Sequence, residues 1–158
     1  MVDLLGLAIV PKLLEVGIWW DVQDAIERVG NAFPCADRQK PTEGRACVLL
    51  VPIGDAHAAV VQDLQRQHIL EIRAAKGRIP QSVQDIIRPV ALARAVVKGW
   101  SGLELGGVAV EYSEAKAVEL LADKRLTLFA RLIENCAGND AALLAHEEDQ
   151  AKGNSPAV

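Results

Sequence analysis

The chain has 158 residues, enough for one domain or two small ones. It is 51% apolar but only 4% aromatic, with abundant alanine, which favours packed helices over a β-sandwich. A formal charge of −4, with no basic run longer than Lys124-Arg125, sets nucleic acid aside as a partner, because phosphate backbones call for clustered cations.

In chain order, Leu4, Leu5, Leu7, Ala8, Ile9 and Val10 suit a short helix that Pro11 ends or restarts. Asp3 stands where a secretory signal wants positive charge, and Gly6, Pro11, Lys12 and Glu15 interrupt the apolar run. The expectation is therefore neither a signal nor a membrane span, but a soluble protein of the cytoplasm with no membrane partner. The next stretch reads two ways. Val16 to Trp20 has the β-branched and aromatic content of a strand, while Asp21 is placed to cap a helix over Val22–Val29; the strand is favoured.

Residues 31–46 carry Asn31, Pro34, Asp37, Pro41 and a Glu43-Gly44 turn, the composition of a loop. The run "CVLLVPIG" then predicts a strand, which would pair with Val16–Trp20 as a hairpin around that loop. Two strands are marginal alone, so helices or a third strand must support them.

Asp55 caps a predicted helix from Ala56 to about Ala75, with Val60, Val61, Leu64, His68 and Ile72 at helical steps and Gly77 as its end. Pro80 opens a second helix reaching Lys98, with a kink or break expected at Arg88–Pro89. The short link "KGRI" makes the two antiparallel neighbours. From Gly99 the pattern alternates: Leu103, Leu105, Gly106-Gly107, Val108, Val110, Tyr112. A Gly-Gly pair between alternating runs predicts a hairpin near 101–112, because tight hairpin turns need positive φ. Ser113 caps a helix over Glu114–Ala122. Asp123 caps another carrying Leu126, Phe129, Leu132 and Ile133, which Gly138 stops. A last short helix fades into a polar tail after Ala151. The fold class expected is mainly α with a small β component: an N-terminal hairpin-like region packed on helices (1–98), a C-terminal hairpin and helical region (99–150) and a flexible tail (151–158).

Chemistry is sparse. Cys35, Cys47 and Cys136 lack the close pairing of a zinc site and read as small buried thiols in a reducing compartment. His57, His68 and His146 form no metal-ligand motif, and Glu147, Glu148 and Asp149 sit in the polar tail. There is no G-x-S-x-G, and "GLELGG" lacks the lysine of a phosphate loop. A Cys47/His57 dyad is the one arrangement that would make a small enzyme. No cofactor, metal or catalytic residue is expected.

The segment "AVVKGWSGLELGGVAVEYSEAKAVELLADKRLTLFARLIENCAGN" resembles the C-terminal half of tail assembly chaperones of long-tailed bacteriophages. The matching positions are Trp100, Gly102, Leu103, Gly106, Gly107, Val110, Tyr112, Ser113, Glu114, Ala117 and Leu120–Leu121. Gly-Gly replaces the acidic Asp-Gly usual there, and Val110 and Glu111 replace a proline-rich spelling. The resemblance implies a non-enzymatic factor, made in the infected or lysogenic host, that binds the tape measure protein and keeps it soluble. The resemblance also implies contact with the tail tube protein, and alanine-rich helix faces are compatible with self-association, the oligomeric state being left open. The alternative it leaves open is a structural tail or head-tail connector protein that stays in the virion. Candidate partner-binding residues are Trp100, Gly102, Leu103, Gly106, Gly107, Tyr112 and Ser113, with Val60, Val61 and Leu64 on the helical stripe, although such a stripe more often serves simply as core. Trp100 is expected to bury its ring at the joint between the preceding helix and the hairpin.

Overall fold

A computed structural model describes residues 2–9, 11–28 and 30–139. The expected last helix and polar tail, with His146 and the acidic cluster after it, lie outside the described residues, as do Val10 and Val29.

After a 3-10 turn at Leu4–Leu7, the chain forms a short helix α1 at Pro11–Val16, strand β1 at Ile18–Asp21 and helix α2 at Gln23–Glu27. The two readings of this stretch are thus both realised, one after the other. Asp21 ends the strand and also accepts the Gln23 amide at 3.1 Å, starting the helix. Strand β2, Phe33–Pro34, lies antiparallel to β1; strand β3, Cys47–Leu50, lies on its other side, so the predicted hairpin forms around the loop.

The predicted helix over Ala56–Ala75 is two helices, α3 at Asp55–Gln67 and α4 at Ile69–Ala74, separated at His68. Asp55 is in the first turn of α3, and Gly54 holds the N-cap position. Helix α5, Gln81–Ala95, runs through Pro89 without a break. Proline removes one amide donor, so the Asp85 carbonyl loses its intrahelical partner. The burial of the Pro89 ring offsets that loss.

The second helix does not reach Lys98: it ends at Ala95, and Val97–Ser101 is strand β4, antiparallel to β3. This is the extra strand that a two-stranded hairpin required. "AVVKGW" is apolar at either period, and what decides is the open edge of β3, whose backbone groups need a partner. The register sets Val48 opposite both Trp20 and Trp100, and a bulge between Leu49 and Leu50 shifts the pairing to Leu50 with Val97. The boundary expected at residue 98 falls inside β4.

The hairpin follows as β5, Glu104–Leu105, and β6, Val108–Ala109, joined by Gly106 and Gly107 at φ +60° and +80°. Helix α6, Glu114–Ala122, begins on Ser113, whose hydroxyl accepts the Lys116 amide at 3.0 Å. Asp123 accepts the Arg125 amide and opens a 3-10 turn, Lys124–Leu126, that feeds helix α7, Thr127–Ala137.

The core lies between one sheet face and helices α5, α6 and α7. Ile18, Trp20, Val48, Leu50 and Trp100 pack with Leu92, Val96, Ala117, Leu120, Leu121, Ala130 and Ile133. At about 1.5–3 kcal/mol per large apolar side chain removed from water, this cluster dominates the stability. It draws on both sides of residue 98. Leu64, Val83, Ile87 and Ala91 form a second cluster between α3 and α5.

Candidate functional site

The joint at Trp100 is a small construction of its own. Trp100 is 8% exposed, and its indole N–H donates to the Val110 carbonyl at 2.8 Å, so the strand-borne ring holds the chain just beyond the hairpin. Tyr112 meets it edge-on, with ring centroids 5.0 Å apart, and its hydroxyl donates to the Val97 carbonyl at 3.1 Å. Two aromatic residues, one on β4 and one after β6, thus each bond the other's segment. The indole ring is buried at this joint as expected, though it stands on a strand rather than at a helix end. Burial raises the Tyr112 pKa, with Glu114 adding to the effect.

Gly102 makes the turn out of β4 at φ +75°, and a Cβ there would lie 2.8 Å from the Arg45 carbonyl oxygen. Only glycine combines that φ with that approach. Gly106 and Gly107 need positive φ but have open space around them. Leu103 is half-buried against the core, and Ser113 fixes where α6 departs.

These elements frame a largely apolar pocket of about 120 Å³ lined by Ile26, Leu103, Leu105, Val110, Leu120, Leu126 and Phe129, with Glu104 as its one charged member. Leu105 on its lining is 36% exposed, its cross-strand partner Val108 is 69% exposed and Ile26 is 52% exposed. Trp100, Gly102 and Tyr112 hold the hairpin that forms one wall, while α6, α7 and the turn between them form the other.

The stripe on α3 is placed differently. Leu64 is 6% exposed and packs into the α3–α5 cluster, with Val60 and Val61 half-buried against it. These side chains face the fold's own interior. A broader groove of about 370 Å³ lies beside them, lined by His57, Val61, Gln65, Gln84, Asp85, Arg88, Glu134 and others, with Arg88 ion-paired to Glu134 across it. Cys47 is fully buried and its Sγ lies 3.7 Å from Cys35 Sγ and 3.8 Å from the Thr42 carbonyl, whereas His57 lines that groove.

Sequence reasoning missed the polar network beneath the joint. Arg45 Nε donates to Asp21 at 2.8 Å and its Nη2 to Asp24 at 3.1 Å. Hydrogen bonding to these two carboxylates raises the Arg45 pKa. The Gln23 side-chain oxygen accepts the Ala46 amide at 3.0 Å. Asp21 is 3% exposed, and the fork of Arg45 compensates its charge. The network ties α2, and with it Ile26, to the segment whose carbonyl Gly102 abuts. No local signal announces it, since its members are more than twenty residues apart.

Among the described residues, no His/Cys/Asp/Glu cluster has the grouping of a metal site, and no helix is long and apolar enough to cross a membrane. The family model described as YdaY prophage protein matches residues 53–154. No curated protein and no solved structure matches significantly.

Proposed function

The chain belongs to the YdaY prophage protein family, and on that premise we propose that it is a non-enzymatic tail assembly chaperone that binds the tape measure protein and keeps it soluble. The observation that carries this reading is the apolar pocket between the hairpin and helices α6 and α7, with exposed Leu105, Val108 and Ile26 around it. Such a groove suits the apolar face of an amphipathic helix, whose anchors recur every three or four residues. Tape measure proteins are long and aggregation-prone, so masking those anchors is the service required. Trp100, Gly102 and Tyr112 act here by holding the hairpin wall in place, and Leu103 by lining the pocket.

The test is co-expression of the tagged chain with the tape measure protein of the same prophage. Soluble, co-purifying tape measure protein supports the proposal, and its loss with Leu105→Asp assigns binding to the pocket. An insoluble tape measure protein, with the chain recovered instead in purified particles, would replace the chaperone reading with that of a virion component.

A further inference from the structure

The sheet has two faces, and the core accounts for one of them. Ile18, Trp20, Val48, Leu50 and Trp100 point into the core. Strand alternation turns the cross-strand partners Trp19, Leu49 and Gly99 to the other side, where Trp19 and Leu49 are half-buried. A Cβ on Gly99 would lie 3.6 Å from the Trp19 ring and 3.7 Å from the Leu49 Cβ, so the indole reaches across the sheet to β4. This outer face holds a hollow of about 370 Å³, lined by Lys12, Val16, Gly17, Trp19, Gln39 and Leu49. Among the described residues its lining includes a cation and no carboxylate, and Arg38 and Lys40 flank Gln39 in the chain. By contrast, Asp85 and Glu134 line the groove beside α3, and Glu104 lines the hairpin pocket.

The chain carries an occupant with the complementary pattern. Residues 141–149 read "AALLAHEED", a short apolar run followed by three carboxylates. The segment also starts from the right end of the sheet. The Ala137 carbonyl, at the end of α7, accepts the Ile53 amide at 3.0 Å. Ile53 follows closely on Leu50, whose carbonyl abuts Gly17 on the wall of the hollow. An extended chain covers about 20 Å from Ala137 to Leu143 and about 35 Å to the carboxylates, enough to round the end of the sheet and cross its outer face. We propose that residues 141–149 dock on the outer sheet face of their own chain, with Leu143 and Leu144 over Trp19 and Leu49. Glu147, Glu148 and Asp149 then lie beside Lys12, Arg38 and Lys40. The leucines remove the exposed part of the indole from water, and the charges fix the direction in which the segment runs. The sheet is thereby covered on both faces, and the hairpin pocket stays open to a partner.

Trp19 is the reporter, because Trp20 and Trp100 are only 3% and 8% exposed. Tryptophan emission and acrylamide quenching are compared for the full chain and for Leu143→Asp/Leu144→Asp, whose changes fall outside the described core clusters. The expected result is red-shifted emission and stronger quenching in the variant, both differences vanishing when Trp19→Phe is made in the two chains. Unchanged quenching would overturn the proposal. So would a difference that survives Trp19→Phe, since another ring would then be reporting it. Sedimentation in parallel decides whose segment is bound. Protection of Trp19 in a monomer at every concentration supports docking within one chain, whereas protection that appears only with dimers would overturn it in favour of a second copy. A charge swap is the second arm. Glu147→Lys/Glu148→Lys/Asp149→Lys should raise the quenching, and adding Lys12→Glu/Lys40→Glu should restore the protection. A triple variant as protected as the parent, or a swap that restores nothing, would refute the ionic contacts.

Discussion

Replacing Gly102 by alanine tests how the hairpin is fastened. Two costs add at this position. An L-residue at φ +75° pays about 1–2 kcal/mol in backbone strain. The new methyl would also sit 2.8 Å from the Arg45 carbonyl oxygen and 3.3 Å from the Ala46 Cα. Both neighbours are backbone, held by the Arg45–Asp21 pair and the Gln23–Ala46 bond, so neither yields cheaply. The expected loss is about 2–4 kcal/mol, within the range for strain and overpacking combined. Gly106→Ala is the internal control. It carries the same class of φ with nothing within 4 Å, and less unfolded-state entropy offsets part of its strain, leaving about 1 kcal/mol. Urea unfolding of both variants, followed by fluorescence, reads the difference directly. Equal losses for the two would refute the close approach at Gly102 as a source of stability.

Other substitutions probe the same surface. Trp100→Phe keeps an aromatic ring but deletes the donor to Val110, and should cost about 1–2 kcal/mol in urea unfolding; Trp100→Ala should cost about 3–5 kcal/mol. Val108→Asp, on an exposed strand, should change stability by less than about 0.5 kcal/mol yet lower co-purification of the tape measure protein at least about tenfold. Burial pushes the Cys136 thiol up to about 12 and, with help from Cys35, the Cys47 thiol up to about 11. Both folded pKa values exceed the unfolded ones, so this contribution is full below about pH 9 and falls away as pH rises towards 11–12. Cys136→Ala should flatten that alkaline decline in a Tm-against-pH series.

Much of the fold was legible because its signals are local. Ser113 caps α6 through its own hydroxyl, and Gly106-Gly107 supply the φ values a tight hairpin needs, so a few adjacent residues suffice to read them. The end of α5 was not legible. Val96, Val97 and Lys98 satisfy helical and strand periodicities alike, and the choice is made by the edge of β3, some fifty residues upstream. Pro89 misleads for a related reason: its local cost is known, but its burial in the folded chain is not written beside it. For the candidate site, sequence pointed to Trp100, Gly102, Leu103 and Tyr112, and the structure brings these together. Ile26, Asp21, Asp24 and Arg45 join them through contacts that no spacing rule encodes, and Leu64 turns inward because α5 happens to cover it.

The late arrival of β4 also sets a schedule. Val48 and Trp100 are partners in the sheet, but a ribosome adding about 5–20 residues per second needs roughly 3–10 s to pass from one to the other. Throughout that interval β1 and β3 exist with one edge uncovered, and α3, α4 and α5 must be made before the edge can close. An uncovered edge is a template for any extended chain nearby. Nascent chains crowded on one message would therefore meet at β3 before each can seal itself. The yield of native protein should fall as synthesis is driven harder and recover when elongation through residues 51–96 is quickened by synonymous codons.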